Sequence, residues 1–149
     1  MADRLPRLVF LLNSAQRRLQ QFIAAEQDRA ARAGLAAPTP AQSGVLFVLA
    51  REDGATMGAL AKALDLAPSA VSGLVQRMEA LGWVERRASE IDARSQLVWL
   101  RPAGAAQLPA LGKALGRINE RLTDTFTLAE LQVVARWLGH VQTLGDPDE

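Results

Sequence analysis

Residues 57–82 read MGALAKALDLAPSAVSGLVQRMEALG, and the reading of this stretch decides the fold. Apolar residues recur at three- and four-residue spacing over 57–64 and again over 68–81, the mark of two short amphipathic helices. Asp65-Leu66-Ala67 separates them, Pro68 stands where a helix opens and Gly82 where one closes. Two helices joined by about three residues form a candidate helix-turn-helix. With Met57 as the first of twenty positions, Ala61 is fifth, where the helices cross and a small residue is needed. Asp65 is ninth, where the backbone must turn left-handed, a conformation Asp enters more readily than most residues. Leu60, Leu64, Leu66, Val71 and Leu74 fall on the shared core. An ordinary helical hairpin is the alternative for this segment taken alone.

With Val71, Leu74, Val75 and Met78 turned inward, the other face of the second helix carries Ser69, Ser72, Gly73, Gln76 and Arg77. Small polar side chains near a helix N-terminus permit close approach to a major groove, where Ser bonds bases or phosphates and Gln or Arg reads base edges. The positive end of the helix favours phosphate. A solvated face for the serines, and an ion pair of Arg77 with Glu79 or Asp65, are the plainer readings.

After Gly82 the pattern shifts from helical to alternating. Trp83-Val84-Glu85-Arg86-Arg87 and Gln96-Leu97-Val98-Trp99-Leu100 are strand-like runs around the polar loop from Ala88 to Ser95, which predicts one β-hairpin. Arg86 and Arg87 stand at its base and Asp92-Ala93-Arg94-Ser95 at its tip, where a carboxylate two residues before an Arg can orient the guanidinium. The negative potential of a narrow minor groove attracts an inserted Arg, and a hairpin directly after a recognition helix would reach the neighbouring groove. A solvated turn with a local ion pair is the alternative.

Upstream, an apolar stripe of Leu5, Leu8, Val9, Leu12, Ala15, Leu19, Phe22 and Ile23 runs from Pro6 to Gly34, predicting one helix of roughly 28 residues, about 42 Å long. Ala36-Ala37-Pro38 breaks it, and Thr39-Pro40 reads as an N-cap and first-turn proline opening a second helix through Ala50. Downstream, Pro102 opens a helical segment bearing Leu108, Leu111, Leu115, Ile118 and Leu122. Pro109 in its interior predicts a kink or a division. The Gly112 to Gly116 spacing suits close approach of another helix. Thr127 caps a last helix with Leu128, Leu131, Val134, Leu138 and Val141, and Gly145-Asp146-Pro147-Asp148-Glu149 reads as a frayed tail.

The composition excludes whole classes of function. The 149 residues hold no Cys and one His, which leaves no disulfide scaffold, thiol nucleophile, iron–sulfur cluster or usual zinc set. No metal and no cofactor is expected. Nothing assembles the nucleophile, base and oxyanion groups of an enzyme. Neither a membrane-length apolar run nor a signal-peptide hydrophobic region is present, so a soluble cytoplasmic protein is expected. The net charge of +1 hides an uneven distribution: residues 1–35 carry six Arg against three acids, and 83–101 four Arg against three acids. Residues 102–149 carry four bases against six acids. All bases but Lys62 and Lys113 are Arg, the better residue for bidentate phosphate and groove contacts, although genome composition also produces such a bias.

Taken in order, these residues resemble the MarR family of bacterial winged helix-turn-helix transcription regulators. The resemblance is carried by Thr39-Pro-Ala-Gln42 before Val45-Leu46 and by Leu60-Ala-Lys-Ala-Leu64. It continues through Ser69-Ala-Val-Ser72-Gly-Leu-Val-Gln-Arg77-Met-Glu79-Ala-Leu81-Gly82-Trp83-Val84, Arg86 and Asp92-Ala-Arg94-Ser95. It implies a mainly α fold, a winged helix-turn-helix domain with one β-hairpin wing flanked by N- and C-terminal dimerisation helices. Residues 1–35 would be the first dimerisation helix, 36–101 the DNA-binding lobe and 102–149 the C-terminal dimerisation helices of one intertwined domain. It further implies a homodimer on the double-stranded DNA of a pseudo-palindromic operator, acting as a repressor relieved by a small aromatic or lipophilic effector. Carried over by position, Thr39, Gln42, Ser69, Ser72, Gly73, Gln76, Arg77 and Arg86 would meet DNA, with Arg94 at the wing tip held by Asp92. Phe10, Asn13, Arg17, Phe47 and Trp99 could line the effector pocket. Where the family has a Leu-Thr pair after the second wing strand, this chain has Leu100-Arg101-Pro102. The missing Cys selects ligand binding over thiol oxidation as the switch. The competing class is a winged-helix protein-interaction module without DNA binding.

Overall fold

The computed structural model of the protein describes residues 6–34 and 37–145. Leu5, Ala36 of the expected break and residues 146–149 of the expected tail lie outside them. Among the described residues seven helices and three short strands follow one another: α1 (Leu8–Arg32), α2 (Pro40–Arg51), β1 (Ala55–Thr56), α3 (Met57–Leu64), α4 (Pro68–Ala80), β2 (Val84–Ala88), β3 (Gln96–Leu100), α5 (Pro102–Ala105), α6 (Leu108–Thr123) and α7 (Leu128–Gln142). The chain divides into two compact units after Leu111.

Local chemistry sets most of these boundaries. At α2, Thr39 Oγ1 accepts from the Gln42 N–H (3.2 Å) and Gln42 Oε1 accepts from the Thr39 N–H (2.9 Å), a reciprocal capping box ahead of Pro40. Thr127 and Glu130 do the same at α7, and these bonds from Thr127 hold the Glu130 carboxyl below its ordinary value. Thr56 caps α3 by accepting from the Ala59 N–H (3.0 Å). Asp65 ends α3 at φ 53°, ψ 47°, the left-handed turn that the spacing requires. A non-glycine residue there carries strain that glycine relieves, at some cost in unfolded-chain entropy. Asp65→Gly is therefore expected to stabilise the protein by about 0.5 kcal/mol and Asp65→Val to destabilise it by about 1–2 kcal/mol. Urea denaturation reads both, and the reverse ordering would remove strain as the reason for this residue.

One expectation needs correction. The hairpin is not alone, because Ala55–Thr56 pairs antiparallel with β3 and gives a three-stranded sheet of order β1-β3-β2. The division expected of the segment from Pro102 is present, and it falls before Pro109. Helix α5 ends at Ala105, Ala106 and Gln107 form a turn, and α6 restarts at Leu108. Pro109 thus sits in a first turn, where its missing N–H has no helical partner to lose.

The buried core is Val45, Leu46, Leu49, Ala55, Leu60, Val71, Leu74, Val75, Met78, Val84 and Val98, drawn from α2, α3, α4 and the sheet. Leu108 and Leu111 of α6 pack at its edge. Helices α1, α6 and α7 contain no buried residue. They expose large apolar side chains instead, among them Val9 at 78% and Leu128 at 72%. A Cβ added at Gly112 or Gly116 would meet nothing within 4 Å.

Candidate nucleic-acid interface

Helix α4 is amphipathic in the expected register. Val71, Leu74, Val75 and Met78 are buried, while Ser69, Ser72, Gln76 and Arg77 are exposed and Gly73 is half-buried between them. A Cβ at Gly73 would lie 3.3 Å from Arg77 Nη1, so the guanidinium folds back over the glycine one turn away. Gly in a helix interior costs roughly 0.5–1 kcal/mol relative to Ala. What that cost yields is a flat strip on the outer face of α4.

Four of the lobe's seven basic residues lie on α4 or the wing, and these four fall into two groups. Arg86 alternates with Val84 on the core side of β2, and its guanidinium meets the Glu79 carboxylate at 2.8 Å while its backbone N–H donates to the same group (3.1 Å). Arg87 pairs with Glu85, and its guanidinium lies 5.4 Å from the centre of the Trp99 ring. Both are thereby tied to the sheet. Among the described residues no ion pair is found for Arg77 or Arg94, and both side chains are exposed. Glu79, the alternative partner for Arg77, is already bound to Arg86.

At the wing tip Asp92 does something other than orient a guanidinium. Its Oδ1 accepts from the Arg94 backbone N–H (3.0 Å) and its Oδ2 from the Ser95 hydroxyl (3.4 Å). It holds the turn, which leaves the Arg94 side chain free to reach outward. Arg94 also lines an open cleft of about 350 Å³ with Thr56, Met57, Gly58, Ser95 and Gln96, between the wing and the start of α3. Thr56 and Gly58 escaped the sequence reading because β1 is only two residues long.

Of the other candidates, Thr39 Oγ1 and Gln42 Oε1 each accept a hydrogen bond in the α2 cap. Phe10 and Arg17 are exposed on α1, and the Asn13 side chain donates to the Val9 carbonyl (2.8 Å). Phe47 is half-buried on α2. The Trp99 ring packs against Gly54, where a Cβ would come within 2.6 Å of it. None of these five lines the cleft at the wing.

A sequence profile of the MarR family matches residues 38–95, from the α2 cap through α4 to the wing tip. This lobe is similar to the MarR family. A Thauera aromatica protein named as a transcriptional regulatory protein for the hcr operon is 29% identical over 92 residues, 62% of this chain. The match spans 55% of that relative's length. The similarity to solved structures extends beyond the profile. A Pseudomonas aeruginosa protein named as a transcriptional regulator is 27% identical, with a TM-score of 0.72 over 91% of this chain and 99% of its own. BpsR of Bordetella bronchiseptica, whose DNA binding is regulated by 6-hydroxynicotinic acid, is 22% identical, with a TM-score of 0.76 over 91% of this chain and 98% of its own.

Proposed function

We propose that this chain is a MarR-family, homodimeric, sequence-specific DNA-binding transcriptional regulator, a repressor relieved by a small ligand. The observation that carries the DNA-binding reading is the division among the four arginines of α4 and the wing; Arg51, Lys62 and Arg101 elsewhere in the lobe also have no ion pair among the described residues. Arg86 and Arg87 are tied to carboxylates, whereas Arg77 on α4 and Arg94 on the wing stand exposed without an ion pair among the described residues. A protein-interaction module has no need for unpaired guanidinium groups at both of these places. Ser69, Ser72, Gly73 and Gln76 supply the small polar surface between them for base and phosphate contacts.

The homodimer is supported by α1, α6 and α7, which contain no fully buried residue and expose Phe10, Leu115, Leu122, Val134 and Leu138. A two-fold pair would set two recognition helices about one DNA turn, ~34 Å, apart on a pseudo-palindrome. The effector is proposed to be a small aromatic or lipophilic molecule of the size of 6-hydroxynicotinic acid, with Phe10, Asn13, Arg17, Phe47 and Trp99 as its candidate residues.

The test is a salt titration of binding to the DNA flanking the chain's own coding region. Nanomolar-range binding is expected at moderate salt, and Arg94→Ala should lower the slope of log K against log salt by about one per wing. Arg86→Gln should leave the slope unchanged, since that guanidinium faces Glu79. Binding that is undetectable at low salt, or indifferent to both Arg94 and Arg77, would overturn the reading.

A further inference from the structure

Ile91 is 98% exposed at the wing tip, the most exposed large apolar residue among those described. Its place is fixed by the turn around it. Ser89 Oγ accepts from the Ile91 N–H (3.2 Å) and the Asp92 N–H (3.4 Å), the Ser89 N–H donates to the Ser95 carbonyl (2.8 Å), and the Ser95 N–H donates to the Asp92 carbonyl (2.9 Å). Asp92 then holds the Arg94 N–H. The tip is thus a closed, hydrogen-bonded turn that presents Ile91 three residues from Arg94. A β-branched side chain is stiff at χ1, so Ile91 loses little rotamer freedom when covered. At this exposure the isoleucine gains almost no packing among the described residues.

We propose that Ile91 is an apolar wedge that enters the minor groove beside Arg94 and makes the ease of unstacking a base step part of operator recognition. The inference rests on the DNA-binding reading and adds a residue and a mode of readout to it. DNA is the occupant because Ile91 shares its turn with the unpaired Arg94, and an electrostatically attracted arginine brings the neighbouring apolar group to the groove floor. Apolar side chains in the minor groove unstack steps and bend the duplex, at a cost that is lowest for flexible pyrimidine–purine steps. Sequence preference then arises at positions that make no hydrogen bond to the protein.

The experiment uses the full chain and a 30-base-pair duplex that the wild-type protein selects from a random-sequence pool, with an unselected duplex of equal length as control. Ile91→Ala is expected to weaken binding to the selected duplex by about tenfold. It should leave affinity for the control and the salt slope unchanged, and reduce the bend measured by energy transfer between end labels. Ile91→Val should keep most of the affinity and the bend. Because the side chain is exposed, these variants fold as the wild type does. A wild-type bend in Ile91→Ala, or equal losses on the two duplexes, overturns the wedge while Arg94→Ala still tests DNA binding itself. If the wild-type protein selects no sequence, the regulator reading and the wedge fall together.

Discussion

A chain carrying both Val134→Asp and Leu138→Asp should sediment as a monomer at micromolar concentration and lose operator binding by on the order of a hundredfold or more. Both positions lie on α7 and both are exposed within the single chain, at 47% and 38%. With Leu128, Leu131 and Val141 they make an apolar stripe at helical spacing on a helix that buries none of its residues. Carboxylates there cost the protomer little, because water still reaches them. Between two subunits each would be an unpaired charge removed from water, a penalty of several kcal/mol per ion. Removing the second half-site contact then removes the gain from binding two linked sites at once. Sedimentation mass, circular dichroism and binding to the selected duplex separate the possibilities. A folded monomer without operator binding is expected, and a double variant that remains dimeric would move the interface off α7. A wild-type chain that is itself monomeric would remove the dimer altogether.

What the sequence makes legible in this protein is what short-range rules govern. The caps at Thr39 and Thr127, the left-handed turn at Asp65, the buried stripe of α4 and the hairpin pairing all follow from spacings of two to four residues. The misses involve partners that are remote in the chain. Ala55–Thr56 has no alternation to announce a strand and exists because β3 offers it an edge more than 40 residues later. Asp53 looks like an ordinary turn residue, yet its Oδ1 accepts from the Leu100 N–H (2.8 Å) and clasps the end of β3. Arg86 reads as one more basic residue of the wing, although its alternation with Val84 already places it on the inner face where Glu79 waits. Pro109 announces the division of the Pro102 segment but not its place, because the apolar spacing continues across Ala106 and Gln107 while the backbone turns there and leaves the proline in the first turn of α6.

The second large effect concerns that connection. Gly104→Ala is expected to destabilise the protein by about 2–4 kcal/mol, against the ordinary preference of helices for Ala over Gly by up to ~1 kcal/mol. A Cβ on Gly104 would lie 2.3 Å from the Trp83 carbonyl oxygen and 3.0 Å from both the Trp83 carbonyl carbon and Leu100 Cδ1. The nearest obstacle is backbone, and that carbonyl also accepts from the Arg101 N–H at 2.9 Å. To make room, α5 must lift from the start of β2 and weaken a bond worth roughly 1 kcal/mol, while Leu100 leaves its place beside the core. Arg101 gives α5 no side-chain cap, so the fit of Gly104 against Trp83 does the holding that a capping threonine would otherwise share. Urea denaturation of Gly104→Ala against wild type measures the loss. Equal or greater stability in the variant would show that α5 rests only loosely on the lobe. A large loss would place the exit from the wing among the protein's most tightly constrained segments.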